Sequence, residues 1–384
     1  MLNKGDPPPG ESWVSVKESP YNASGDGQGD DTAAIQAALD TGGNIWVPDG
    51  TYLINAQFGL SPCSGQEIHL SPNAFLKVIS SEAESYQVFR LQDKEGIFIE
   101  GGTILGDRHS HTGSSGEWGM GVSISGCRNI TIKGMTIRDC WGDGIYISSS
   151  DINPYSQDIQ IINCICEGNR RQGLSVVACR GALIMDCVFS GTAGTDPQCG
   201  LDLEANQGHM VRDVLVIRCT AYGNSGSGFQ VSGGTGDSGA NDYNSIVGCT
   251  AYENGLSGIR LLEVSNLILQ GNILRANSEN GVHLSAGIRY GAERIHVTGN
   301  QCVSNKKNGI FLQGLGDSTL QVRGNIFANN RCEGNGLAGI YLFNARENIV
   351  TGNTAVKNNL QGISEAESSS GNIIQGNSVS HNRL

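Results

Sequence analysis

Gln198-Cys199-Gly200-Leu201-Asp202-Leu203-Glu204-Ala205-Asn206 is one copy of a phrase that recurs through most of the 384-residue chain. The phrase is a glycine followed by four alternating residues. It reads IYIS after Gly144, LSVV after Gly173, LDLE after Gly200 and FQVS after Gly228. It continues as IRLL after Gly258, VHLS after Gly281, IFLQ after Gly309, IYLF after Gly339 and ISEA after Gly362. The glycine-to-glycine steps are 29, 27, 28, 30, 23, 28, 30 and 23 residues. Self-similarity at such a period means a solenoid.

The first and third residues after each glycine are nearly all Ile, Leu, Val or Phe, while the second and fourth are mixed. Period-2 alternation marks a strand with one buried face. A coil that returns to the same strand every turn stacks like on like as a parallel sheet. The fold expected is therefore all-β, a single-stranded right-handed parallel β-helix. The second residues of successive copies then form a row on the outer face: Tyr146, Ser175, Asp202, Gln230, Arg260, His283, Phe311, Tyr341 and Ser364. Neighbours in the row lie about 4.8 Å apart, the strand spacing of a sheet.

Composition narrows the function classes. Fifty-five glycines suit a turn-rich β protein. A net charge of −12 argues against nucleic acid and against an anionic membrane surface as partners. No run of 18 apolar residues is present, and the polar start Met1-Leu2-Asn3-Lys4 has no apolar core of a secretory signal. Cys164, Cys187, Cys219 and Cys249 occupy one place in consecutive coils, followed there by Asn272, Asn300, Asn325, Asn353 and Asn377. That reads as an internal ladder rather than a disulfide set or a metal site, because no C-x-x-C pair exists. So many buried thiols point to folding in a reducing cytoplasm.

In chain order, residues 1–58 read as a proline-rich lead-in and a cap with a helix over about 31–40, and 59–384 as ten to eleven coils. Gly25-Asp26-Gly27-Gln28-Gly29-Asp30-Asp31-Thr32 precedes Ala33-Ala34-Ile35-Gln36, and its acids are placed to cap the helix. Calcium at Asp26, Asp30 and Asp31 is the alternative; capping is the reading taken, and no cofactor or metal is expected. Lys94–Ile99 and Gly119–Ile124 read as the first two copies of the phrase. The loop between them holds His109, His111, Glu117 and Trp118, and its polar content places it over the sheet face. Other excursions bring Asn206, His209, Arg212, Asp237, Asp242, Tyr243, Arg289 and Tyr290 towards the row. The end at Leu384, directly after a repeat strand, leaves truncation or a homodimer or homotrimer open.

The Gly-Asp-Gly…Asp-Asp-Thr-x-Ala-Ile-Gln opening resembles the N-terminal cap of the pectate-lyase superfamily of right-handed parallel β-helices, closely over about 30 residues. The resemblance implies action on a polysaccharide. The motifs of its polygalacturonase-like branch are absent. Asp196-Pro197-Gln198 lacks the histidine of the Asp-Pro-His motif found in alginate epimerases. Phage tailspike depolymerases share the cap and place paired carboxylates on the helix face without a fixed motif. The chain resembles that group or an unclassified bacterial relative more, and the resemblance implies an extracellular or virion-associated working location.

Asp202 and Glu204, two apart on one strand, are expected to face the same way and to act as the acid/base or nucleophile pair of a glycoside hydrolase. Asp143, Arg260 and His283 complete the catalytic set. Tyr146, Gln230, His209, Glu117, Trp118, Phe311 and Tyr341 are the expected contacts to a poly- or oligosaccharide, aromatic rings meeting apolar sugar faces. A lyase or C5-epimerase on uronic acids, using Arg260, His283 and a tyrosine, is the alternative. A non-catalytic carbohydrate-binding or virion-structural helix is the third.

Overall fold

A computed structural model describes residues 7, 9, 12–206, 208–233, 241–288, 290–315, 321–366 and 368–383. The chain divides into two compact units, Met1–Val188 with Thr192–Thr195, and Phe189–Gly191 with Asp196–Leu384. Both are all-β and parallel. In the first, Ser85–Gln92, Trp118–Ser125, Ile145–Ser148 and Leu174–Val176 pair in that order. In the second, Leu201–Glu204, Phe229–Ser232, Ile259–Leu262, Val282–Ser285, Ile310–Gln313, Ile340–Phe343 and Ile363–Ala366 do the same. Every one of these last pairings is residue on residue, without a slip.

The phrase glycine sets that register. A Cβ on Gly200 would lie 2.6 Å from the Gly228 carbonyl oxygen, and one on Gly281 would lie 2.6 Å from that of Gly309. Any side chain there would push the coils apart. Behind the glycines, Leu201, Leu203, Phe229, Val231, Ile259, Leu261, Val282, Leu284, Ile310, Leu312, Ile340 and Leu342 have no solvent exposure. Each such side chain stabilises the coil by about 1.5–3 kcal/mol relative to an exposed one.

One expected copy of the phrase lies elsewhere. The strand Glu95–Leu105 pairs with Glu67–Val78 and with Arg128–Lys133, on a different sheet from the phrase. The rung that precedes Trp118–Ser125 is Ser85–Gln92, with Phe89 opposite Val122 and Arg90 opposite Ser123. Ile97-Phe98-Ile99 alternates as the phrase does, so alternation alone could not say which sheet it joins.

The internal ladder is present, with one member exchanged. The amide N–H of Cys219 points at Cys249 Sγ, and that of Cys249 donates to Asn272 Oδ1 at 2.8 Å. The series then runs through Asn300, Asn330, Asn353 and Asn377. Asn325 belongs instead to a second ladder with Asn348 and Asn372. A third runs from Asn224 through Asn254, Asn277, Asn305, Asn335 and Asn358 to Asn382. Asn325, Asn330 and Asn335 sit five residues apart in one coil, which is why the spacing misassigned the rung. All twelve cysteines are free thiols.

The helix α1 spans Thr32–Leu39 and buries Thr32, Ile35, Ala38 and Leu39. Asp30 accepts the amide of Thr32. Asp31, expected to cap the helix, makes no side-chain cap bond. Its carboxylate instead accepts the amides of Ser24 and Gly25 at 2.6 and 3.2 Å, tying down the preceding turn. Asp26 accepts from Gln28 and Ser24. No described helix is long and apolar enough to cross a membrane.

Candidate functional site

In the Asp196–Leu384 unit the outer row is laid out residue against residue. Asp202 faces Gln230, Gln230 faces Arg260, Arg260 faces His283, His283 faces Phe311, Phe311 faces Tyr341, and Tyr341 faces Ser364. The row divides by burial. Asp202 has no exposure and Gln230 only 8%, so Asp202 does not present its carboxylate to solvent as an outward acid pair requires. Gln230 Nε2 donates to Asp202 Oδ2 at 3.1 Å, which gives that buried oxygen a partner. Glu204, Arg260, His283, Phe311 and Tyr341 are partly exposed. Of the two expected catalytic acids, only Glu204 is open to a ligand.

Arg260 and His283 are neighbours in the row. Arg260 Nε is buried and has no hydrogen-bond partner among the described residues. His283 Nε2 lies 2.9 Å from Gln313 Oε1. With that oxygen as acceptor, Nε2 carries the proton and Nδ1 is the basic atom. Burial, together with repulsion from the Arg260 guanidinium, holds the His283 pKa below its usual value, while Gln313 opposes this. The imidazole is therefore neutral at pH 7 beside a permanent cation.

From His283 a groove of about 640 Å³ runs towards Glu365 and Ala366. The ring of His283 stacks on Phe311 at 5.1 Å, and Phe311 on Tyr341 at 5.5 Å with 9° between planes. Lys307 and Glu279, joined in an ion pair, stand on its wall.

The Met1–Val188 unit holds a separate charged cluster. Arg171 lies 3.2 Å from Asp143 and 3.5 Å from Glu117. Asp143 has no exposure, and burial outweighs the attraction of Arg171, raising its pKa from 3.8 to about 6; Glu117 adds to the rise. Arg171 escaped the sequence reading, since a basic residue in a turn ordinarily reads as solvated. Tyr146, between Ser123 and Ser175, is half-buried, and Trp118 is 48% exposed.

The polar loop between the early strands is largely structural. Asp107 accepts from Tyr86 Oη at 2.7 Å and from His111 Nδ1 at 2.8 Å, and Tyr86 Oη accepts the Trp141 amide. His111 also stacks on Trp141 at 3.9 Å, with the Arg170 guanidinium over the same ring. His109 is exposed beside Asp139. In the second unit, His209 is half-buried, Arg212 pairs with Asp242 at 3.3 Å and covers Tyr243, and the Tyr290 amide meets Glu263. Asp237 and Arg289 lie outside the described residues. Among the described residues, no three His, Cys, Asp or Glu side chains converge as metal ligands.

Comparison with known proteins follows the same lines. A model of the rhamnogalacturonase A/epimerase, pectate lyase-like family matches residues 13–61. One of the periplasmic copper-binding protein NosD matches 286–384, where the described residues offer no converging ligand set for copper. The uncharacterized protein YclG of Bacillus subtilis is 32% identical over 209 residues, 47% of this chain and 36% of its own. Mannuronan C5-epimerase AlgE2 of Azotobacter vinelandii is 25% identical over 270 residues, 63% of this chain and 25% of its own. These matches thus span about a quarter to a third of the relatives' length. The catalytic domain of a GH87 alpha-1,3-glucanase, solved with nigerose, superposes with a TM-score of 0.74 at 14% identity, covering 97% of this chain and 70% of that one. The model of the right handed beta helix region matches residues 67–238 and 120–327, and the chain belongs to that family, with the pectate-lyase-like fold.

Proposed function

We propose that the chain acts on a polysaccharide lying along the outer row of the Asp196–Leu384 unit, abstracting the C5 proton of a uronic-acid residue as lyases and C5-epimerases do. The observation that carries this is the adjacency of Arg260, whose buried Nε lacks a partner, and His283, kept neutral by burial and by that cation. A C5 proton is acidic enough to remove only while the neighbouring carboxylate is neutralised. Arg260 supplies that neutralisation and holds the enolate formed as the C–H electron pair moves towards the carboxylate. His283 Nδ1 takes the proton. Return of a proton from water to the opposite face gives the epimer. Alternatively the enolate's electron pair forms a C4=C5 double bond as the C4–O bond breaks, the departing oxygen taking its bond pair and a proton from water, and the chain is cut. The likeness to AlgE2 supports this chemistry. Action on such a polymer carries with it an extracellular or virion-associated location.

Glycoside hydrolysis is the second reading, and one observation favours it. Asp143, whose pKa burial raises from 3.8 to about 6, shares the Arg171 guanidinium with Glu117, so that two carboxyl groups, one of them shifted towards the acid form, stand around one cation. Asp202 with Glu204 is the other pair. The glucanase likeness supports this reading. A panel of neutral and uronic polysaccharides separates the two. Ultraviolet absorbance of unsaturated uronate, or altered uronate NMR signals, lost in His283→Gln and kept in Asp202→Asn, supports the first. New reducing ends without either signal, lost in Asp202→Asn, Glu204→Gln or Asp143→Asn, support the second.

A further inference from the structure

We infer that the groove beyond His283 is a subsite for a sugar ring that bears no carboxylate, so that the polymer is mixed: a uronate at Arg260 and a neutral ring against Tyr341. The inference rests on reading the row as a polymer track and adds the identity of the second sugar. Two observations lead to it. The first is an interrupted stack. The rings of His283, Phe311 and Tyr341 follow one another rung by rung, at 5.1 and 5.5 Å and within 19° of parallel. Phe343 leans on Tyr341 from the fourth position of the same strand, at 6.2 Å. On the next rung their partners are Ser364 and Ala366. Both are too small to continue the stack, and both line the groove with Leu360 and Gln361. The space left is one rung deep, bounded by an aromatic ring on one side. The flat apolar face of a pyranose fills such a space, its hydroxyls reaching Gln361 and Ser364.

The second observation is charge. The lining residues include two acids, Glu279 and Glu365, against one lysine, Lys307, which is already held by Glu279. His283 is neutral. The lining therefore carries a net charge of −1 (one positive, two negative). A uronate placed there would meet repulsion and no free cation among the lining residues, whereas a neutral ring would not. Arg260, one rung before His283 and outside the groove lining, is where a carboxylate finds its partner. The row thus changes from acid-recognising to neutral within three rungs.

The test uses short neutral glucan oligomers and short oligouronates, bound to the full chain and read by saturation-transfer NMR and calorimetry. The variants are Tyr341→Ala, Ser364→Phe and Arg260→Gln, each checked by its melting curve. Ser364→Phe fills the vacant rung with a ring that extends the stack, so it blocks the subsite without removing packing. The neutral oligomers are expected to bind wild type and Arg260→Gln alike, and to weaken about tenfold in Tyr341→Ala and in Ser364→Phe. On a mixed uronate–neutral polymer, Ser364→Phe raises KM. Neutral oligomers that do not bind, that bind Ser364→Phe as well as wild type, or that need Arg260 would overturn the inference. Neutral binding without any C5 chemistry would sustain the subsite and remove only the catalytic reading.

Discussion

The guanidinium of Arg171 lies 3.2 Å from the carboxylate of Asp143, which has no solvent exposure. Burial wins over that cation, and the Asp143 pKa rises from 3.8 to about 6. The folded state therefore holds the proton more tightly than the unfolded chain. The resulting stabilisation is full below pH 3.8 and is lost as pH rises through about 6. The difference is roughly 3 kcal/mol across that window. Urea unfolding of wild type and Asp143→Asn between pH 4 and 7.5 checks it, because the fall in stability over this range should be smaller in the variant.

Arg171→Gln removes the cation that makes an ionised Asp143 tolerable. Breaking a buried pair from one side costs about 3–5 kcal/mol when the remaining charge stays ionised. Since Asp143 can take up a proton instead, the variant should lose most stability above pH 7 and much less at pH 5. Equal losses at both pH values would mean that Arg171 acts through packing alone.

His283 is held neutral by burial and by Arg260. A base of this kind works once its proton is gone, so activity should fall on the acid side, with a midpoint below the ordinary 6.5. In Arg260→Gln the repulsion disappears, and the residual activity should show its acid limb at higher pH. His283→Gln should lower turnover by about 10²–10⁴ while leaving the melting curve close to wild type. The pH–rate profiles of the three proteins check this.

Asn300 donates to Leu269 and Asn330 and accepts both the backbone and the side-chain N–H of Asn272. Asn300→Ala leaves those buried groups without partners and should cost about 1–3 kcal/mol. Because solenoid coils contact mainly their neighbours, hydrogen exchange should rise in the coils around Asn272 and Asn330 and little elsewhere.

The parallel coils were legible because each phrase repeats three constraints at once: a glycine where the next coil approaches, two apolar residues inward, and one free position outward. Leu201, Leu203 and Gly200 could hardly be read otherwise. Burial along the outward row was not legible. Asp202 and Glu204 are identical in pattern, yet only Glu204 retains exposure, and the amide that bonds Asp202 comes from Gln230 on the next coil. The same limit hid Arg171 and Gln313. Each matters through a partner on another turn, Asp143 and His283, and no local spacing records such a pairing. Asn325 shows the converse failure, where a five-residue spacing was too regular to say which ladder an asparagine joins.

The most direct test of the central claim is proton NMR of a uronate-containing polymer incubated with the protein in D₂O. The expected result is solvent deuterium at C5, or the olefinic proton signal of an unsaturated uronate, with wild type and with Asp202→Asn, and far slower appearance of either with His283→Gln or Arg260→Gln. New reducing ends with neither deuterium at C5 nor an unsaturated uronate, abolished by Asp202→Asn or Glu204→Gln, would contradict it and place hydrolysis first.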